Sequence, residues 1–371
     1  MRPGTSTFRT RASARNADPS SPLHQVQCEC IVGARPSVGR FAHRLARHVL
    51  ACARPSGGDG TEAARESRGS CLCCRNPGVT LEGRVALVTG GGRGIGRSIA
   101  LALAEDGADV AVNYRRDKES ADETVSAIEG LGRKAIAVPG AIDVLDDVRD
   151  VAATTLETFG HVDILINNAG MLTQQREETV DGFEKTLGTN LLGPFALTNL
   201  IFPRVRAQII NVGSHAHRSA KLALDDMHLR TNKWTIMGSY ARSKLAVMLW
   251  GLELDRRLRA ANSPVVSQLT HPGWVASNLS NVSDKPVLAA ADRVVRRVAS
   301  VVANDIDAGA ASTLYCMTEP IPPGSYIGYD GPLGLSGPLV MLGRTALAGD
   351  YEVAAKVFEF AERETGTRLP V

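Results

Sequence analysis

The stretch "GSYARSKLAV", residues 238 to 247, places Tyr240 and Lys244 four residues apart at the start of a helical pattern. At that spacing two side chains lie on one helical face, with Cβ atoms about 5–6 Å apart. A weak acid and a cation can then share one environment, which is the raw material of proton transfer. An exposed tyrosine beside a solvated lysine would show the same spacing, so the pair acquires meaning only from what surrounds it.

A second chemical signal lies upstream. A β-branched run leads into "TGGGRGIG", residues 89 to 96, and then into a helical pattern. Gly90, Gly94 and Gly96 let the backbone turn sharply and approach a pyrophosphate, which free N–H groups and the dipole of the following helix stabilise. The spacing Gly-x-x-x-Gly-x-Gly differs from the Gly-x-Gly-x-x-Gly fingerprint of dinucleotide folds, and a plain tight turn is the alternative. At the end of the next strand, "VAVNYRRD", residues 110 to 117, the acid expected for NAD is missing and Arg115 and Arg116 stand there, with Arg93 in the glycine loop. Guanidinium groups match phosphate oxygens in bidentate fashion. NADP(H) is therefore the preferred cofactor, with NAD(H) as the second choice and a solvated charged loop as the non-functional reading.

Elements that could position these groups are legible in the periodicity. Val85 to Thr89, Asp109 to Asn113, Ala135 to Val138, Val162 to Ile166, Gln208 to Val212 and Pro264 to Leu269 read as strands. Between them lie helical patterns such as Ile95, Ile99 and Leu103, closed by Gly107. This rhythm predicts an α/β fold, a doubly wound parallel sheet of Rossmann type buried on both faces.

Composition bounds the rest. The 371 residues are 44% hydrophobic and 22% charged, an ordinary globular balance. Residues 1 to 80 hold 12 Arg, no Lys and five acids, a balance of +7, and leave −4 to the remainder. Without clustered cations after residue 80, a nucleic-acid partner is not expected. The run from Thr186 to Pro203 is too short and too interrupted to span a bilayer. Six of seven cysteines fall in the leader, and "CLCC" at 71 to 74 lacks paired zinc knuckles, so no metal is expected.

The leader, residues 1 to 78, is low in aromatics and rich in Arg, Ser, Gly and Pro, which predicts disorder. Its segment "RFAHRLARHVLACA" has the amphipathic, arginine-rich look of an organellar transit peptide. The leader is then cleaved, or is not translated at all, because "VTLEGRVALVTGGG" from Val79 reads as a domain start. The expected organisation is a leader followed by one domain, residues 79 to 371, in the cytoplasm, with an organelle as the alternative.

Taken together, "TGGGRGIG", "NNAG" (167 to 170), Asn190 of "GTN", Ser214 of "NVGS", "YARSK" (240 to 244) and "HPGWVASNL" (271 to 279) resemble the short-chain dehydrogenase/reductase family. The segments "ETVDGFEKTLGTNLLGPFALTNL", "NVGSHAH" and "SKLAVMLWGLELDRRL", with an interval of 26 residues from Ser214 to Tyr240, resemble its retinol dehydrogenase and protochlorophyllide reductase branch. In that branch the long insertion borders the substrate site.

The resemblance implies a catalytic set of Asn190, Ser214, Tyr240 and Lys244. Tyr240 would donate a proton to the carbonyl oxygen in reduction, Ser214 would hydrogen-bond that oxygen, and Asn190 would position a relay water. Lys244 would hold the nicotinamide ribose and lower the phenol, an effect of about 4 kcal/mol if one cation lay about 4 Å away. The cofactor set so implied is Gly90, Arg93, Gly94, Ile95, Gly96, Arg115, Arg116, Asp143, Val144, Asn168, Ala169, Gly170, Tyr240, Lys244, Pro272, Gly273, Val275 and Ser277. Ser277 stands where relatives usually have Thr, and "PGA" before Asp143 is longer than the usual strand ending.

The expected pocket holds Met171, Leu172, His215, Met227, Trp234, Met237 and Trp274, which suits a hydrophobic carbonyl or alcohol, although core packing explains several of them. His215 and His217 are not favoured as acid/base groups. The resemblance also implies a homodimer or homotetramer through helices near 180 to 202 and 240 to 260. The competing reading is a catalytically weak NADP-binding regulator, hinted at by the short connection "PRVRA", which forces a helix to end abruptly ahead of Ser214.

Overall fold

The computed structural model describes residues 80–273, 275, 306–331 and 334–371. The leader, Trp274 and Ser277 lie outside the described residues. The chain begins β1 (Val85–Val88), α1 (Gly94–Glu105), β2 (Asp109–Tyr114), α2 (Lys118–Glu129), β3 (Ala135–Pro139), α3 (Leu145–Phe159) and β4 (Val162–Asn167). A helical run follows as α4 (Lys185–Leu187), a π turn (Gly188–Leu192) and α5 (Gly193–Ile201). Then come β5 (Val205–Val212), α6 (Ile236–Ala260), β6 (Val266–Thr270), α7 (Ile306–Thr318), β7 (Tyr326–Tyr329), β8 (Leu339–Met341) and α8 (Tyr351–Thr365).

The eight strands form one sheet in the order β3-β2-β1-β4-β5-β6-β7-β8. All neighbours are parallel except β7 and β8. Every residue of β1 and β4 is buried, as central strands covered on both faces require. Two apolar clusters fill those faces, one around Ile99, Leu103 and Ile128, the other around Leu191, Phe195 and Trp250. The order reverses between β1 and β4, and the crevice beyond the carboxyl ends of these strands is where such sheets bind ligands.

All six expected strands form, with edges moved by one to three residues. Pro264 stays outside β6 because it has no N–H for a ladder bond. The short connection "PRVRA" is resolved without a loop: α5 stops at Ile201, Phe202–Arg204 make one 3-10 turn, and β5 starts at Val205. The register slips once between Val162 and Ile164, so that β5 holds an extra residue and Val212 still faces Thr270. Ser214 follows two residues after the end of β5.

β7, β8 and α8 were not apparent in the periodicity. Asp350 caps α8 by accepting from the N–H groups of Glu352 and Val353 at 2.9 and 3.1 Å, and Gly366 ends it in the left-handed region. The helix lies on α5 and α6: Phe358 meets Phe195 edge-on at 4.9 Å, and the Arg257 guanidinium sits 3.9 Å over the Phe358 ring. Among the described residues no helix is long and apolar enough to cross a membrane, and no three His, Cys, Asp or Glu side chains are grouped to hold a metal.

Candidate active site

The glycine turn closes the carboxyl end of β1. Gly90 and Gly94 have φ of +63° and +56°, a region that side chains with a Cβ avoid. Gly96 has no alternative residue, since a Cβ there would lie 2.2 Å from the Gly90 carbonyl oxygen. Arg93, exposed at the amino cap of α1, makes no capping bond with its side chain. The N–H groups of that first turn thus point at an uncapped helix end, with Ile95 half-buried beside them.

Buried polar residues brace this turn. Thr89 Oγ1 accepts from the N–H groups of Asn168 and Ala169, both at 3.0 Å, and Asn168 Nδ2 donates to the Thr89 carbonyl at 2.9 Å. Asn113, 1% exposed, accepts from the Gly90 N–H and donates to the Val138 and Gly140 carbonyls. Sequence reasoning gave Thr89 and Asn113 no role, although each is a polar residue inside an otherwise apolar strand pattern.

Beyond β2 and β3 the groups expected to meet an adenosine phosphate converge. Arg115 Nη2 lies 3.4 Å from Asp143 Oδ2, and Arg116 is exposed next to it. Asp143 is buried, and its Oδ1 finds no hydrogen-bond partner among the described residues. Val144 is the amino cap of α3, so Asp143 stands directly before that cap. Opposite, Pro272 and Gly273 follow β6. Val275 and Ile95 both crowd the Cβ position of Gly309 on α7, at 2.6 and 3.1 Å, which brings the loop after β6 against the glycine turn.

The four candidate catalytic residues come together at the carboxyl ends of β4 and β5. Thr235 caps α6 by accepting from the Gly238 N–H at 3.0 Å, which starts the helix one turn before Tyr240. The Ser214 hydroxyl is near enough to Tyr240 to act on its phenol, and Ser214 Oγ accepts from the Ala216 N–H at 3.3 Å. Lys244, 4% exposed, donates from Nζ to the Val212 carbonyl at 2.8 Å, two residues before Ser214.

Asn190 sits in the π turn, 3% exposed. It accepts from the Met171 N–H at 2.8 Å and donates to the Met171 carbonyl at 3.0 Å and to Ser243 Oγ at 2.8 Å. Its side chain is a clamp between the π turn, the loop after β4 and α6. Gly170 closes the group, because a Cβ there would stand 3.3 Å from Asn190 Oδ1 and 3.5 Å from Lys244 Nζ.

The electrostatics differ from expectation. Burial raises the Tyr240 phenol above its ordinary value, and the hydrogen bond with Ser214 only partly offsets that. Burial also lowers the Lys244 ammonium to about 8. Its Nζ lies 5.9 Å from the centre of the Tyr240 ring. Removal of both groups from water outweighs their mutual effect.

The expected apolar lining is only partly assembled. Met171 and Leu172 lie next to Asn190 and His215 next to Ser214, all half-buried, while Met227 is part of the core and Met237 is 59% exposed. Trp234 is fixed by donation from Nε1 to Glu184 Oε1 at 3.2 Å. Glu184 caps α4 through the Leu187 N–H and receives Trp234 just ahead of α6, so it links the helices that carry Asn190 and Tyr240. Sequence reasoning missed this buried carboxylate, because charged neighbours such as Asp181 and Lys185 make it look like a surface residue.

The short chain dehydrogenase family profile matches residues 84–286. The chain belongs to the short chain dehydrogenase family. Within this family, human retinol dehydrogenase 13 is 37% identical over 207 residues, which cover 54% of this chain and 62% of that protein. Mouse polyprenol dehydrogenase is 39% identical, with 53% and 61% covered, so the chain matches about three-fifths of the length of these relatives. Mouse retinol dehydrogenase 11 is 32% identical over 267 residues, 70% of this chain and 80% of that protein. Among solved structures, a short chain dehydrogenase from Burkholderia cenocepacia J2315 in complex with NADP is 30% identical with a TM-score of 0.53, covering 67% of this chain and 96% of its own. A protein from Mycobacterium paratuberculosis is 32% identical with a TM-score of 0.66, covering 79% and 97%.

Proposed function

We propose that the protein is an NADP(H)-dependent oxidoreductase that interconverts a hydrophobic aldehyde or ketone and the matching alcohol. One arrangement carries the reading: the Ser214 hydroxyl stands close enough to Tyr240 to lower its phenol, beside the buried Lys244 ammonium that meets the Val212 carbonyl. Two hydroxyls that meet at a strand end can converge on one carbonyl oxygen.

A dinucleotide fits the residues present. The uncapped start of α1 and the Gly90–Gly96 contact suit a pyrophosphate, Asp143 has a buried acceptor without a partner, and Arg115 and Arg116 suit a 2′-phosphate. When bound, this cofactor supplies or accepts the hydride. Asn168, Ala169 and Gly170 would flank its ribose, and Pro272, Gly273, Val275 and Ser277 its nicotinamide side. NADP is favoured over NAD because no acid follows Asn113 before Asp117.

In reduction, Tyr240 would donate its phenolic proton to the substrate oxygen while Ser214 donates a hydrogen bond to the same atom. The raised phenol stays protonated across neutral pH, and Lys244, charged below about pH 8, is placed to stabilise the phenolate left behind. Asn190 would hold the helices of this group in register. The retinol and polyprenol names of the relatives favour a long apolar substrate. The reading includes a cytoplasmic or organellar location and a homodimer or homotetramer. A second reading, an NADP-binding regulator with weak turnover, draws on the raised phenol.

The test is NADPH oxidation against a panel of hydrophobic aldehydes and ketones, with Tyr240→Phe alongside. Turnover lost by about a hundredfold or more in that variant is expected. Equal rates would remove the proposed chemistry, and tight NADPH binding without oxidation of the cofactor by any compound would favour the regulator.

A further inference from the structure

Immediately after Ser214 the chain enters the 3-10 turn His215–Ser219, and His217 folds back on the serine. Its backbone N–H donates to the Ser214 carbonyl at 3.2 Å, and its ring Nδ1 lies 2.7 Å from the same oxygen. A carbonyl oxygen only accepts, so Nδ1 carries the proton. The other nitrogen, Nε2, is buried without a partner among the described residues, and the side chain is 2% exposed.

The surroundings oppose a second proton. The Tyr326 ring meets the imidazole edge-on at 5.8 Å, and His215 is 6.5 Å away. Burial lowers the imidazole first, the bond to Ser214 works in the other direction, and His215, Arg218 and Arg344 lower it further. The neutral Nδ1–H tautomer is the form that satisfies every one of these contacts.

The consequence falls on the serine. Ser214 is extended, at φ −159° and ψ 148°, and its carbonyl is held by both donors of one residue. Its hydroxyl must meet Tyr240 from that backbone. We propose that His217 is a positioning residue whose Nδ1–H fixes the Ser214 backbone, so that the serine hydroxyl and Tyr240 address the same substrate oxygen. This rests on the reading of Ser214 and Tyr240 given above.

Two experiments test it. Nitrogen-15 NMR of the histidine rings in the full chain at pH 7 needs no turnover: His217 as the Nδ1–H tautomer is expected, and an Nε2–H tautomer or a cation overturns the assignment. The second compares His217→Asn, whose amide N–H takes the place of Nδ1, with His217→Gln, whose amide takes the place of Nε2. Asn should keep kcat within about threefold, and Gln should lose about tenfold or more, because a displaced reacting group is costly. KM for NADPH and the thermal midpoint should match between the two variants. Equal kcat for Asn and Gln overturns the positioning role. Tyr240→Phe in the same assay separates the two failures: if it keeps wild-type rates the catalytic reading has fallen, whereas an inactive Tyr240→Phe beside a fully active His217→Gln removes only the role of His217.

Discussion

Lys244 shows at the scale of one residue how burial prepares a group for a ligand. Out of water, its ammonium is costly and its pKa falls to about 8. Acceptor oxygens of a bound ribose would favour the charged form and raise that value, so by linkage binding is tightest while the lysine is protonated. NADPH affinity is therefore expected to fall as pH rises through about 8, and titration calorimetry above that pH should show proton uptake on binding. A flat affinity from pH 7 to 9.5 would contradict contact between Lys244 and the cofactor. Arg115→Ala with Arg116→Ala belongs to the same scale: NADPH binding should weaken by tenfold or so more than NADH binding, the value of about one charge-assisted bond, and equal losses would refute the 2′-phosphate assignment.

Among the elements, the insertion between Ser214 and Tyr240 is organised around one side chain. Asp226 accepts from Arg230 N at 2.7 Å through Oδ1, and from the N–H groups and side chains of Thr231 and Asn232 through Oδ2. Burial alone would raise this carboxyl, but these donors outweigh it and hold it well below the usual range. Its stabilising effect is present above the ordinary carboxylate pKa and is lost as pH falls through the lower folded value. Asp226→Asn should cost about 2 kcal/mol at pH 7, since an amide N–H₂ would face donors, with the gap from wild type closing in acid. Urea melts at pH 7 and pH 3 measure it, and a gap that does not narrow in acid would count against the carboxylate as the organiser.

At the scale of the whole molecule, α8 packs as an outer layer on two other helices. It covers α5 and α6, where Phe195, Trp250 and Phe358 pack together and Arg257 pairs with Glu362 at 3.5 Å. Assembly through α5 and α6, as the resemblance implies, would use the parts of these helices that α8 leaves exposed. Leu200, 37% exposed on α5, probes that face. Leu200→Arg is expected to lower the mass in sedimentation to that of a smaller assembly, and an unchanged mass would refute this face as the interface. Phe358→Ala should destabilise the fold by about 3 kcal/mol, the usual cost of a truncated core aromatic, readable as a shift in the urea midpoint.

The sequence alone determined the parallel sheet, because strands buried on both faces must read as short β-branched runs between helical patterns. It also determined the order in which glycine turn, Asn190, Ser214, Tyr240 and Lys244 occur, since local backbone geometry restricts which residues serve there. Glu184 joined to Trp234, Asn190 joined to Met171 and Ser243, and Asp143 beside Arg115 are pairings across elements, and no local pattern announces them. The direction of the Tyr240 shift was decided in the same way: sequence spacing put a cation near the phenol, but only the packed structure sets how much water each loses, and burial is the larger effect.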